Sequence, residues 1–149
     1  MSEPGCGSDV AAIQSKAVRE GDEYVLNGQK MWLTNGGSST LVAVLMLTPG
    51  EVDADASVYK KMTTFLIEKP EGFGEVLPGL TIPGKIDKMG YKGVDTTELI
   101  MDGVRLPADS VLGGEPGVHG IGGVTASVLG IRHVFDSCDG LAVCTQLAV

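Results

Sequence analysis

Two short stretches hold most of the residues whose types and spacing could do chemistry. The first is Ser2-Glu3-Pro4-Gly5-Cys6-Gly7-Ser8-Asp9. Glycines lack a Cβ, so the backbone can come close to a ligand, and successive free N–H groups can form a concave anion site. Ser2 and Ser8 add hydroxyls that donate or accept. The same composition also describes a solvated turn at a chain end. The second stretch is Met31-Trp32-Leu33-Thr34-Asn35-Gly36, which carries the only tryptophan. On a strand, Trp32 and Thr34 share a face. A flat aromatic beside a hydroxyl can wall a planar heteroaromatic cofactor, although a lone Trp on a strand is more often core.

Other chemistries find little footing. GxSxG is absent, as are GxxxxGK[ST] and a GxGxxG set between strand and helix. The only histidines, His119 and His133, fall in a glycine-rich loop and an ill-defined tail, where a solvated bystander is the ordinary case. Nineteen carboxylates guarantee close pairs somewhere, so no glycosidase pair can be read from them. Lys60, Lys61, Lys85, Lys88 and Lys92 read as a solvated face. Cys6, Cys138 and Cys144 are odd in number and lack CxxC spacing, which argues against a disulfide framework or a metal site and for a reducing cytoplasm.

The net charge is −8, and the eleven Lys and Arg form no run longer than Lys60-Lys61. Phosphate neutralisation on nucleic acid needs clustered cations, so small-molecule or protein partners are expected instead. No apolar signal region follows Met1, and the longest wholly apolar run, Leu41 to Leu47, is too short to span a bilayer.

The elements that must position the two stretches read as strands. A chain of 149 residues makes one domain by length and can bury roughly 70% of its unfolded surface. Its 22 glycines are spread without a fixed period, as in a chain with many turns. YVLNGQKMW, Tyr24 to Trp32, reads as a hairpin with Asn27-Gly28 in a type I′ turn. Leu41 to Leu47 and Thr63 to Lys69 read as strands, with an exposed loop from Pro49 to Lys61 between them. Further extended pieces are expected at Glu75 to Leu80, Thr96 to Met101, Val104 to Pro107 and Ser110 to Leu112. Turn signals recur every eight to fifteen residues, with no sustained helical period before Gly113. The expectation is an all-β chain, an antiparallel sandwich or barrel. After Gly113 the texture changes to a glycine-rich loop and an apolar tail that is irregular or partly helical.

Four motifs, in order, resemble the acyl-CoA dehydrogenase family. The family's Ser/Thr-Glu signature stands as Ser2-Glu3-Pro4-Gly5-Cys6-Gly7-Ser8-Asp9, and its NGxKxWITNG motif as Asn27-Gly28-Gln29-Lys30-Met31-Trp32-Leu33-Thr34-Asn35-Gly36. Its KMGxxGxxTxEL motif stands as Lys88-Met89-Gly90 through Glu98-Leu99, with Thr97 at the family threonine, and its VxxPxxxxLG motif as Val104, Pro107, Leu112 and Gly113. The resemblance implies a middle-domain β-barrel over residues 1–117 and an atypical tail over 118–149, the latter a possible start of a C-terminal helical domain.

It also implies FAD as cofactor, with Ser2 at the polar edge of the isoalloxazine and Gly7 and Ser8 along the phosphates. Trp32 and Leu33 lie beside the ring, and Thr34 meets N5. Ser8 also approaches an acyl-CoA substrate. The implied reaction is α,β-dehydrogenation to a trans-2-enoyl-CoA, as in fatty acid β-oxidation, with electrons passed to an electron-transfer flavoprotein. The catalytic base, a Glu of the family's C-terminal helical domain, has no counterpart here, so no catalytic residue is assigned and inactivity in isolation is expected. Arg132 is the weak match to a family arginine that reaches a neighbouring subunit's FAD. A cytoplasmic or mitochondrial-matrix setting and possible self-association complete the expectation, with a non-catalytic β module as the alternative. Starting at the flavin signature, the chain is expected to lack upstream family sequence.

Overall fold

A computed structural model describes residues 1–114 and the backbone strand Leu141–Val143. The strands are β1 (Lys16–Glu20), β2 (Glu23–Thr34), β3 (Leu41–Leu47), β4 (Met62–Glu68), β5 (Gly74–Leu77), β6 (Leu80–Ile82), β7 (Thr96–Pro107) and β8 (Leu141–Val143). They form one sheet in the order β4-β3-β1-β2-β7-β6-β5, with β8 parallel to β3. Helix among the described residues is limited to three short 3-10 turns.

The all-β expectation holds, but closure into a barrel does not: the sheet is open and mixed, with β1 and β3 in parallel contact at Lys16 and Leu47. It nevertheless curls over its own core. Tyr24 of β2 meets Phe65 of β4 edge-on at 5.0 Å between centroids, although β1 and β3 lie between them in the sheet. Past β7, the chain reaches β4 through a single bridge, Val111 to Phe65, and the Leu112 N–H donates to the Thr64 carbonyl at 2.9 Å. That short tie stands where a closed barrel would have a full ladder.

Alternation builds the core. Tyr24 and Leu26 of β2, Leu99 and Met101 of β7, and Phe65 and Ile67 of β4 are all buried, each two residues apart. Period-2 side chains point to one face of a sheet, and burying each such side chain is worth roughly 1.5–3 kcal/mol. β3 is apolar throughout, and both expected strands in this region stand where the sequence put them.

The hairpin expectation at Asn27-Gly28 is overturned. β2 runs straight through the pair, and the actual hairpin joins β1 to β2 through Gly21-Asp22, with Glu20 opposite Glu23. β1 was not among the expected strands. Gly28 is needed for a close approach: its φ is +144°, and a Cβ there would lie 2.7 Å from the Ser15 Cα. Opposite it, Asp102-Gly103 is also no turn. β7 continues through it with a bulge, Gly103 at φ +72°, and the Asn27 Oδ1 accepts the Gly103 N–H at 2.9 Å. The two pieces expected at Thr96–Met101 and Val104–Pro107 are therefore one strand.

The piece expected at Glu75 to Leu80 divides into β5 and β6 around Pro78-Gly79, because Gly79 sits at φ +76°. Ser110 belongs to a 3-10 turn, and Val111 makes only the bridge to β4. In the tail, Leu141–Val143 is strand.

Candidate functional site

The second arm of β2 carries a fault in its ladder. Lys30 pairs with Leu99 and Leu33 with Thr97, so Met31 and Trp32 together face Glu98 alone. The extra residue is accommodated by Trp32 at φ +64°. A left-handed backbone is uncommon for any non-glycine residue and an outlier for a bulky one, and such strain gathers at ligand sites. The bulge also reverses the inward phase. Lys30 faces in before it and Leu33 after it, which leaves Trp32, at 50% exposure, and Thr34 on the open side. Trp32 and Thr34 thus share an exposed side, by way of the bulge rather than by plain alternation.

Beyond Thr34 the chain is held firmly. The Asn35 N–H donates to the Asp95 carbonyl at 2.9 Å, and the Thr97 hydroxyl donates to the Leu33 carbonyl at 3.3 Å. Gly36 packs so closely on Thr97 and Leu33 that no Cβ would fit. The Leu33 side chain is fully buried in the core. It supports the site from below and does not face it.

The N-terminal loop is fastened beside this bulge. The Met31 N–H donates to the Ser2 carbonyl at 2.9 Å, so Ser2 lies next to the residue that precedes Trp32. Glu3 and Cys6 exchange backbone hydrogen bonds of 2.9 and 3.2 Å, winding Pro4-Gly5 into a tight turn. Gly7 and Ser8 follow, both exposed. Gly7 has neither a positive φ nor a neighbour that a Cβ would meet within 4 Å. Of the sequence-picked residues, the structure brings Ser2 to the bulge, leaves Gly7 and Ser8 open on the same loop, and turns Leu33 inward.

Under the loop lies a buried ion pair that the sequence reading did not single out. The Lys30 Nζ donates to the Glu3 Oε1 at 2.6 Å, with the two side chains 0% and 6% exposed. The same carboxylate accepts the backbone N–H groups of Gln14 at 2.7 Å and Ser15 at 3.1 Å. Burial pushes the Glu3 carboxyl upward, but the hydrogen bonds and the Lys30 charge outweigh it and hold the group below its ordinary value. The signal was available: Lys30 keeps the inward phase of Tyr24 and Leu26, where a charge must be paired.

Elsewhere, the expected lysine face is only partly solvated. Lys88 donates to the Tyr91 and Val94 carbonyls, while Lys85 pairs with Asp95 at 2.8 Å. His119, Arg132, His133, Cys138 and Cys144 lie outside the described residues. Among the described residues no cluster of potential metal ligands occurs, and no helix is long and apolar enough to cross a membrane.

A family model described as the acyl-CoA dehydrogenase middle domain matches residues 1–104. The chain belongs to the acyl-CoA dehydrogenase family. The mitochondrial very long-chain specific acyl-CoA dehydrogenase of Rattus norvegicus is 44% identical over 115 residues, covering 76% of this chain and 17% of the relative. A probable acyl-CoA dehydrogenase of Bacillus subtilis is 39% identical over 113 residues, 76% of this chain and 27% of the relative. The chain therefore spans well under a third of the length of either relative.

Solved acyl-CoA dehydrogenase structures agree. A probable acyl-CoA dehydrogenase from Mycobacterium abscessus superposes with a TM-score of 0.69 at 34% identity, covering 88% of this chain and 31% of that one. A glutaryl-CoA dehydrogenase in complex with glutaryl-CoA gives 0.69 at 31% identity, over 85% of this chain and 29% of that one. A Mycobacterium smegmatis glutaryl-CoA dehydrogenase in complex with FADH2 gives 0.66 at 29% identity, over 88% of this chain and 29% of that one.

Proposed function

We propose that this acyl-CoA dehydrogenase middle domain holds one side of an FAD, between the Ser2–Ser8 loop and the Trp32 bulge. The observation that carries the reading is Trp32: a left-handed, half-exposed aromatic on a bulge hydrogen-bonded to the Ser2 loop. The exposure of Gly7 and Ser8 on the same loop supports it, since their backbone is open to a ligand. The FADH2 and glutaryl-CoA complexes of similar chains support the choice of flavin and acyl-CoA.

In this reading Trp32 packs beside the isoalloxazine, the Ser2 hydroxyl binds its polar edge, and the Thr34 hydroxyl hydrogen-bonds at N5. Gly7 and Ser8 line the phosphates, and Ser8 also turns toward the acyl-CoA thioester. When bound, FAD supplies the hydride acceptor for α,β-dehydrogenation of an acyl-CoA to a trans-2-enoyl-CoA, and the protein fixes and tunes it. The Thr97 hydroxyl on the Leu33 carbonyl and the Gly36 packing keep Thr34 in place from behind. No carboxylate of this chain is assigned removal of the α-proton. The chain alone is therefore expected to show no turnover, and reoxidation by an electron-transfer flavoprotein belongs to the assembled enzyme. A compartment shared with the mitochondrial or bacterial relatives fits the same reading.

Titration of the purified chain with FAD, followed by flavin fluorescence, tests the site. Saturable quenching that weakens at least tenfold in Trp32→Ala is expected. Absent binding, or affinity indifferent to Trp32, would leave a folded β module of dehydrogenase ancestry without a cofactor site.

A further inference from the structure

Lys30 is fully buried and Glu3 nearly so, and their charged ends are spent on each other rather than offered to a ligand. Yet each is one residue from a group that can. Glu3 follows Ser2, and Lys30 precedes Met31, whose N–H donates to the Ser2 carbonyl and whose neighbour is Trp32. Through the Gln14 and Ser15 N–H groups the same carboxylate also grips the chain just ahead of β1. Three segments that are distant in sequence thus converge on one pair of oxygens. The N-terminal loop, the approach to β1 and the second arm of β2 are fixed at a single point.

We propose that the Glu3–Lys30 pair is a positioning pair, holding the Ser2–Ser8 loop in register with the Trp32 bulge so that both sides of the flavin site are preformed. The inference rests on the flavin reading for its ligand but not for its geometry. A buried ammonium and carboxylate in direct contact tolerate little displacement, since separating them strands a charge in low dielectric. The Met31–Ser2 hydrogen bond then carries that fixed point one residue outward, along the loop and along β2. The loop is also fastened by the packing of Met1, Cys6 and Val10 over Ile13, Leu45 and Met62, which is apolar and less directional. Without the pair, the loop can stay attached to the sheet and still lose its alignment with Trp32.

A role in stability alone makes a different prediction, because a merely stabilising pair leaves the affinity of the folded fraction untouched. The experiment compares the full chain with Lys30→Met, with Glu3→Gln, and with Ile67→Val as a core variant. All are studied well below their unfolding midpoints, with circular dichroism confirming the fold. FAD affinity and the fluorescence anisotropy of Trp32, the only indole, are read on each. Lys30→Met is expected to weaken FAD binding tenfold or more and to lower the Trp32 anisotropy, while Ile67→Val changes neither. Glu3→Gln removes the carboxylate charge, keeps one acceptor oxygen where Glu3 offers two to the Gln14 and Ser15 N–H groups, and serves as the variant read if Lys30→Met does not fold. Equal affinity and equal anisotropy in the folded pair variants would overturn the proposal. Should the unmodified chain bind no FAD, the flavin reading fails on its own, and the anisotropy still decides whether the pair aligns the bulge.

Discussion

Lys30→Met separates what the buried pair contributes to folding from what surrounds it. The substitution keeps an unbranched apolar side chain, one atom shorter and with sulfur at the δ position, and removes the charge. Glu3 is then left 6% exposed with two backbone N–H donors, those of Gln14 and Ser15. Removing one partner of a buried ion pair costs about 3–5 kcal/mol. Because those two hydrogen bonds persist, the lower end applies, and near this chain length ~3 kcal/mol lowers the melting temperature by roughly 10 °C.

The pH dependence should also weaken. In the unmodified chain the Glu3 carboxyl is held below its ordinary value of 4.5. Its contribution is therefore present above that value and is lost as pH falls through the lower folded one. In the variant the lowering by Lys30 is gone while burial and the Gln14 and Ser15 hydrogen bonds remain, so the folded carboxyl moves upward and its contribution at neutral pH shrinks. The stability difference between the two proteins should be full near neutrality and shrink below about pH 4.5. Urea unfolding at several pH values between 3 and 7 reads this directly. A difference independent of pH, or smaller than about 1 kcal/mol at neutrality, would refute the pairing as described.

Three other substitutions probe the site's frame. Trp32→Gly should be more stable than Trp32→Ala by about 1 kcal/mol, because alanine keeps the left-handed penalty that glycine escapes; equal unfolding midpoints would contradict the strained bulge. Gly28→Ala should cost at least about 2 kcal/mol, since it combines a positive φ with overlap on Ser15; a neutral melting temperature would mean that β1 and β2 are not so close. Thr97→Val removes the donor to the Leu33 carbonyl and should cost about 1–3 kcal/mol in urea unfolding; no change would show that the carbonyl finds another partner.

Alternation and turn chemistry made much of the sheet legible. Leu41–Leu47 and the strand after Met62 stand where apolar, β-branched runs bounded by turn formers put them. The failures share one cause. Asn27-Gly28, Asp102-Gly103 and Pro78-Gly79 carry similar turn signals, but only the last reverses the chain. Glycine permits a positive φ without saying whether it is used for a turn, a bulge or a close approach. Only the partner strand decides that, and pairing is non-local. β1 was missed because its exposed face is mixed, with Val18 outward and only Ala17 buried in Lys16–Glu20. The sheet's openness was equally invisible, since strands that could close a barrel read the same as strands that stop short.

At the site, residue types showed that Ser2, Trp32 and Thr34 could serve a planar cofactor, but not how they meet. The bulge that turns Trp32 outward depends on the count of residues in β7 across the ladder, a relation that no local pattern contains. The ion pair was closer to legible, because a lysine in phase with Tyr24 and Leu26 demands a buried acid. Its partner lies 27 positions away, however, and nothing local selects Glu3 among nineteen carboxylates.

The most direct test of the central claim follows the Trp32 indole N–H, a single resonance in a proton–nitrogen spectrum of the labelled chain, as FAD is added. The account predicts saturable movement of that resonance together with the Gly7 and Ser8 amides, while the amides of the Gly21-Asp22 turn, at the opposite end of β2, stay in place. Shifts confined to other parts of the sheet, or no shifts at flavin concentrations well above the protein's, would contradict a flavin site between the Ser2–Ser8 loop and the Trp32 bulge.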